Sequence, residues 1–295
     1  MAATGWFAKD EVYVGRDVPG RALEITPQMV QTFVEGTGDD HPWYRGRSPQ
    51  GGPLAPAMLL YSEVFRDRSW YLPNLYGNLH ARQEWESFAP VMVGERVTTR
   101  CTVVDRYLRR GRDYVVGELM ALDGDGRLAW RGRTHQSFLI DAEPQGMAVD
   151  KTREKATGRE FAFPQHDGES VSGPVRRVDE AMCRAFSGPE RNYHNDRSKA
   201  LELGFPEIVV QGMLSVCLVA EMMTRRFGLG FLCSGRMDLK LVNVLWVNEV
   251  TSTHGVIFER RAEGRRRRAE LEVWCQKADG TKTVVGTASA LEGGD

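Results

Sequence analysis

Apolar and polar positions along this chain change their period several times, and the same order of changes occurs twice. A helical stretch runs from about Thr26 to Glu35, followed by Gly36-Thr37-Gly38-Asp39-Asp40-His41-Pro42-Trp43-Tyr44. A second runs from Val178 to Phe186, followed by Ser187-Gly188-Pro189-Glu190-Arg191-Asn192-Tyr193-His194. Each copy then reaches a glycine-containing approach to an apolar helix, Gly51 to Met58 in one and Gly204 to Met213 in the other. The run from Leu214 through Val219 to Met223 ends in Arg225, Arg226 and Gly228, which predicts a buried helix.

A strand and turn come next in both copies, Pro90 to Glu95 and Val244 to Glu249. Extended segments close each copy. Val97 to Tyr107, Tyr114 to Leu122 and Leu128 to Ile140 surround Asp123-Gly124-Asp125-Gly126, while Thr251 to Arg260, Ala269 to Gln276 and Thr283 to Leu291 surround Ala278-Asp279-Gly280. Asp-Gly between alternating apolar runs marks a hairpin. An internal repeat of roughly 150 residues therefore predicts two α+β units, each a long helix packed on an antiparallel sheet. The expected boundaries are 1–145 and 175–295. The polar, proline- and glycine-bearing stretch 146–174 is read as a linker.

Composition narrows the classes. Hydrophobic residues at 41% and charged residues at 27% suit a water-soluble globular chain, and no apolar run of about 18 residues could span a bilayer. The start Met-Ala-Ala-Thr-Gly-Trp lacks the basic patch and apolar run of a secretory signal, so the expected location is cytoplasmic, away from membranes. Five cysteines without a C-x-x-C pair point to neither a disulfide framework nor a zinc site, and the scattered His80, His135, His166 and His254 add no metal spacing. A net charge of -1 gives no general attraction to nucleic acid. One run, Arg265 to Arg268, reads either as a solvated strand edge or as a clamp for a phosphate-bearing ligand. Trp70, Tyr71, Tyr76 and Trp85, with Phe65 and Phe88 nearby, read as core or as the lining of an apolar cavity. No dinucleotide or Walker glycine pattern and no serine-nucleophile motif is present.

The paired motifs resemble those of the MaoC-like, R-specific enoyl-CoA hydratase group of hotdog enzymes. Their pattern is Ser/Thr-Gly-Asp-x-Asn-Pro-x-His, followed by His-Gly-Met at the start of the hotdog helix. The resemblance implies two tandem hotdog domains packed as a pseudo-dimer, the first dehydratase-like and the second MaoC-like. It further implies reversible hydration of a 2-enoyl thioester to a 3-hydroxyacyl thioester, carried by coenzyme A or an acyl carrier, with no separate cofactor. A homodimer, or a complex with a second subunit, is the expected assembly.

By that resemblance Gly212 and Met213 offer backbone N–H groups to the thioester oxygen. The chain departs from the pattern in both copies. Asp39 holds the aspartate position of the first copy, with His41 in the asparagine place and Tyr44 in the histidine place. His194 holds the histidine position of the second, with Pro189, Arg191 and Gln211 at the aspartate, asparagine and helix-start histidine positions. Three alternatives follow. His194 works with Glu190, one place after the missing aspartate; or Asp39 works with His41; or hydration is lost, leaving an acyl-binding subunit. A hotdog thioesterase is a further enzymatic possibility.

Overall fold

The computed structural model describes residues 12–18, 20–63, 78–139 and 161–293. Among them, the first half contributes β1 (Asp17–Val18), β2 (Ala22–Glu24), β3 (Leu79–Ser87), β4 (Arg96–Arg109), β5 (Arg112–Leu122) and β6 (Leu128–Leu139). The second contributes β7 (Glu169–Arg177), β8 (Arg236–Leu241), β9 (Val250–Glu263), β10 (Arg266–Lys277) and β11 (Lys282–Leu291). All are antiparallel and form one sheet in the order β1-β4-β5-β6-β3-β8-β11-β10-β9-β7, with β2 beside β4. Strand alternation drives this arrangement: Val97, Thr99, Cys101 and Val103 of β4 turn inward while Arg96, Thr98 and Arg100 face out. Asp123 caps the β5–β6 turn by accepting from the N–H groups of Asp125 and Arg127 at 2.9 and 2.8 Å.

Among the described residues the helices are α1 (Pro27–Thr37), α2 (Glu180–Ser187), α3 (Arg197–Glu202), α4 (Gly212–Phe227) and α5 (Leu229–Ser234). Thr26 caps α1 by accepting from Met29 N–H at 3.2 Å, and Asp179 caps α2 by accepting from Met182 N–H at 2.8 Å. Every residue of α4 except Gly212, Arg225 and Arg226 is buried, as expected of a helix that the sheet wraps. Helices α1 and α2 touch so closely that a Cβ on Gly36 would lie 2.9 Å from the Cα of Phe186. Tyr61 stacks on Phe186 with ring centroids 4.2 Å apart and donates its hydroxyl to the Phe186 carbonyl.

The duplication is exact enough to pair individual hydrogen bonds. Ile25 N–H donates to Glu95 O at 2.9 Å and Gly94 N–H to Ile25 O at 2.7 Å; Val178 N–H donates to Glu249 O at 3.1 Å and Asn248 N–H to Val178 O at 2.6 Å. Gly94 and Asn248, at φ 92 and 68, both take the left-handed conformation this turn requires. The bridge Leu54–Met92 matches Val209–Trp246. The halves meet where β3 pairs with β8, and there Glu84 faces Asp238. That pair has the same separation along the chain as Met92 and Trp246, so the seam lies on the local two-fold axis. Two hotdog units packed as a pseudo-dimer form the expected α+β architecture.

Three expectations change. Residues 140–160 lie outside the described residues, but Glu169–Pro174, read as the end of a linker, belong to β7 and hydrogen-bond to β9. The arginine run is not on a strand edge, because β10 lies between β9 and β11. Its last member, Arg268, is buried at 2% exposure, donating to Glu263 at 2.6 and 2.8 Å, to Ser234 O at 2.9 Å and to Ser289 Oγ at 3.2 Å. Of the aromatic cluster, Phe65, Trp70, Tyr71 and Tyr76 lie outside the described residues; Trp85 is core and Phe88 is exposed.

Candidate functional site

The two motif loops superimpose through their backbone bonds. Leu54 N–H donates to Trp43 O at 2.8 Å, and Val209 N–H donates to Tyr193 O at 3.3 Å. Tyr44 and His194, the residues that follow Trp43 and Tyr193, are therefore structural equivalents.

In the first half, Gly38 ends α1 at φ 73, turning the chain so that Asp39 points inward, where it is 3% exposed. The Tyr44 hydroxyl donates to Asp39 Oδ2 at 2.7 Å, and the Arg225 guanidinium, from α4 of the other half, reaches Asp39 Oδ1 at 3.4 Å and Asp40 Oδ1 at 2.8 Å. Arg225 also donates to Glu221 at 2.9 Å. Arg176 of β7 donates to both Glu221 carboxylate oxygens at 2.9 Å, to Gly38 O at 2.7 Å and to Thr37 O at 3.1 Å. Burial pushes the Asp39 carboxyl up against the pull of Tyr44 and Arg225. Burial and the nearby Asp39 raise Glu221 to about 7, against the pull of Arg176 and Arg225. The Tyr44 hydroxyl is pushed far up by burial and by Asp39, so it stays a donor. This network joins three carboxylates to two guanidiniums and ties the first motif to the second half.

His41 does not join it. The His41 ring accepts from Trp43 N–H at 3.3 Å and caps the 3-10 turn Pro42–Tyr44, while only its backbone N–H reaches Asp39 Oδ1, at 3.3 Å. The Asp39–His41 side-chain pair is not formed. Asp39 pairs with Tyr44 instead, because two residues along this loop cap its own turn whereas five bring the ring back to the carboxylate. Tyr44 also lines a surface pocket of about 400 Å³ with Pro27, Val30, Gln31, Pro53 and Val93.

In the second half, the His194 ring bonds through Nδ1 to the Val209 carbonyl at 2.8 Å. A carbonyl can only accept, so Nδ1 carries the proton and Nε2 the lone pair. Burial holds the imidazole down at about 4, so it is neutral near pH 7. Tyr193 lies against it, ring centroids 3.9 Å apart. Glu190 is exposed, and no hydrogen bond or ion pair joins its carboxylate to His194. Pro189 cannot replace an aspartate, and Glu190 points to solvent rather than inward. Arg191 is likewise exposed and pairs with Asp196 at 2.6 Å. The expected His194–Glu190 pair is thus absent from this structure.

Val209 leads directly into the start of α4. Gln211 is its N-cap but makes no side-chain cap bond, and the Gln211 Oε1 atom is buried without a partner. Gly212 and Met213 begin the helix, where N–H groups lack intrahelical acceptors. A Cβ at position 212 would lie 2.1 Å from Leu241 Cδ2 and 3.9 Å from Nδ1 of His80, a β3 residue of the first half. Sequence reasoning treated His80 as background and passed over Arg176 and Glu221. A carboxylate inside the apolar run 214–223, four residues before Arg225, was the available signal for Glu221. No helix among the described residues is long and apolar enough to cross a membrane.

A family model for the FAS1-like, dehydratase domain region matches residues 12–129. No curated protein matches the chain. Among solved structures, a MaoC-like dehydratase aligns over 96% of this chain and 99% of its own, at 15% identity and a TM-score of 0.73. A MaoC-like dehydratase from Phytophthora capsici aligns over 96% and 97% at 13% identity, TM-score 0.70. A Mycobacterium tuberculosis protein described as having a double hotdog fold aligns over 96% and 97% at 15% identity, TM-score 0.62. At such identities the likeness is one of fold, and it extends through both halves. The dehydratase-region match lies on the first half, and both halves together share the double-hotdog fold of these structures.

Proposed function

We propose that this protein reversibly hydrates a 2-enoyl thioester to a 3-hydroxyacyl thioester, with the second half as the catalytic unit and His194 as its proton-transfer group. The observation that carries this reading is the bond from His194 Nδ1 to Val209 O at 2.8 Å, which fixes the tautomer of a neutral imidazole against the backbone that leads into Gly212, the first residue of α4. The Nε2 lone pair accepts a proton from water as the hydroxyl adds to C3. Electrons move onto the thioester oxygen, and N–H groups at the start of α4 stabilise the enolate. Nε2–H then returns its proton to C2, so one imidazole serves as base and acid in turn. Coenzyme A or an acyl carrier protein is part of the substrate, and no separate cofactor enters.

The first-half network supports giving catalysis to the second half, since Asp39 is already committed to Tyr44 and Arg225. A second reading, an acyl-binding subunit whose partner supplies the acid–base pair, is favoured by one observation: Glu190 faces solvent instead of joining His194. Turnover of a panel of 2-enoyl- and 3-hydroxyacyl-CoA thioesters by the purified chain separates the two. The hydratase reading expects activity from the chain alone; the subunit reading expects activity only after a second polypeptide is added.

A further inference from the structure

The hairpin that joins β4 to β5 carries two cations that no carboxylate neutralises. Arg109 pairs with Arg112, so Arg110 and Gly111 form a two-residue turn, both left-handed at φ 51 and 71. Such a turn favours asparagine, aspartate or glycine at its first position, and an arginine there is strained. The equivalent hairpin of the second half has a glycine, Gly264, in that conformation. Arg109 and Arg110 are exposed and form no ion pair among the described residues, whereas Arg106 is held by Asp113 and Arg82 by Asp238. Beside them Tyr107 and Tyr114 are cross-strand partners whose rings stack, with centroids 4.9 Å apart and planes 5° from parallel. Tyr114 faces outward from the sheet, since Val115, next in the chain, is fully buried on the inner face. Burial and Tyr114 raise the Tyr107 hydroxyl while Arg109 and Arg82 pull against it, so guanidiniums lie close to the ring pair.

Strand pairing puts this hairpin at the same end of the sheet as the start of α4. Arg112 pairs with Leu139, Ser137 with Leu79, and Arg82 with the exposed Lys240, whose neighbour Leu241 packs against Gly212. Strands β5 and β8 lie three strand spacings apart, about 14 Å, a span that an extended pantetheine arm covers. The Arg265–Arg268 run sits at the other end, because Arg268 pairs with Leu291, Ser289 with Arg236, and Arg236 with Glu86. We propose that the β4–β5 hairpin is a nucleotide subsite, in which Arg109 and Arg110 hold the phosphates of a coenzyme A thioester and the Tyr107–Tyr114 pair stacks on its adenine. Guanidinium forks match phosphate oxygens, and a purine stacks on an aromatic ring face. The inference rests on the thioester reading above and deepens it by naming coenzyme A, in place of a carrier protein, as the carrier. A carrier protein supplies the pantetheine phosphate but no base, so it engages only part of this surface.

The test compares crotonyl-CoA with crotonyl-pantetheine, the same thioester without phosphates or nucleotide. The intact chain has a kcat/KM about tenfold higher or more for crotonyl-CoA, and the advantage shrinks as salt screens the phosphates. Arg109→Ser combined with Arg110→Asn, an asparagine that the turn favours, reduces the advantage to within about threefold of unity. Arg265→Ser combined with Arg266→Ser, at the equivalent hairpin on the other end, retains it. A second arm needs no turnover: calorimetry with adenosine 3′,5′-bisphosphate shows binding to the intact chain that weakens about tenfold in the Arg109→Ser, Arg110→Asn variant and by a smaller factor in Tyr107→Thr. Equal kcat/KM for the two thioesters, or an advantage that survives Arg109→Ser with Arg110→Asn, overturns the inference while leaving hydration by His194 standing. Failure of the intact chain to bind the bisphosphate also overturns it. Bisphosphate binding that depends on Arg109 and Arg110, with no turnover of either thioester, supports the subsite and overturns the hydration reading alone.

Discussion

Tyr44 donates its hydroxyl to Asp39 at 2.7 Å across the two positions where the MaoC-like pattern that the chain resembles has aspartate and histidine, so in the first half a tyrosine joins those positions. A buried tyrosine whose hydroxyl stays protonated serves as a fixed donor to a buried carboxylate. Replacing it separates structure from catalysis. Tyr44→Phe leaves Asp39 without one of its partners and should lower unfolding free energy by about 1–3 kcal/mol, read by urea denaturation. Thioester turnover should change less than about threefold when measured well below the new midpoint. A large loss of turnover with unchanged stability would move catalysis to the first half.

Glu221 gives a pH signature of defined sign. Its folded value of about 7 lies above the ordinary 4.5, so the folded chain holds a proton there that the unfolded chain releases. The stability it contributes is complete below pH 4.5 and is lost as pH rises through 7. Unfolding free energies of the parent relative to Glu221→Gln should therefore fall between pH 4.5 and 7, then level off. A rise across that window contradicts the shift.

His194 has the opposite sign. Burial lowers it from 6.5 to about 4, so its contribution is complete above pH 6.5 and is lost as pH falls toward 4. Relative to His194→Gln, the parent should lose stability on acidification through that range. Catalysis should follow: kcat/KM should show no limb from this histidine between pH 5 and 8, because the imidazole is neutral throughout.

Arg268 is structural although it belongs to an exposed-looking basic run. Arg268→Ala should cost about 1–3 kcal/mol, since it leaves the Ser234 carbonyl without its donor and unpairs a half-exposed Glu263. Arg265→Glu with Arg266→Glu, at the tip of the β9–β10 hairpin, should leave the thermal midpoint nearly unchanged. Equal midpoints for all three substitutions would contradict the burial of Arg268.

The repeat, the long second-half helix and both Asp-Gly hairpins were legible because each is a local period or turn signal. Strand β3 was not, because its inward positions include Gln83 and Ser87, and polar inward residues erase the alternation. Strand β7 was hidden by Gly173 and Pro174 and by its place at the sheet edge, where a missing N–H donor is tolerated. The motif positions were readable and their partners were not. Arg176, Arg225 and Asp39 come from distant parts of the chain, and only the packing of α4 under β7 and the first motif loop brings them together.

The most direct measurement is the steady-state hydration of crotonyl-CoA, followed by loss of the enoyl absorbance, for the parent and for His194→Ala at matched fractions folded. The parent should turn over alone, and His194→Ala should lose about 10²- to 10⁴-fold in kcat while unfolding at a similar temperature. Glu190→Gln should match the parent, since its carboxylate faces solvent. A parent that hydrates the thioester equally well with alanine at position 194 would contradict the assignment of His194 as the proton-transfer group.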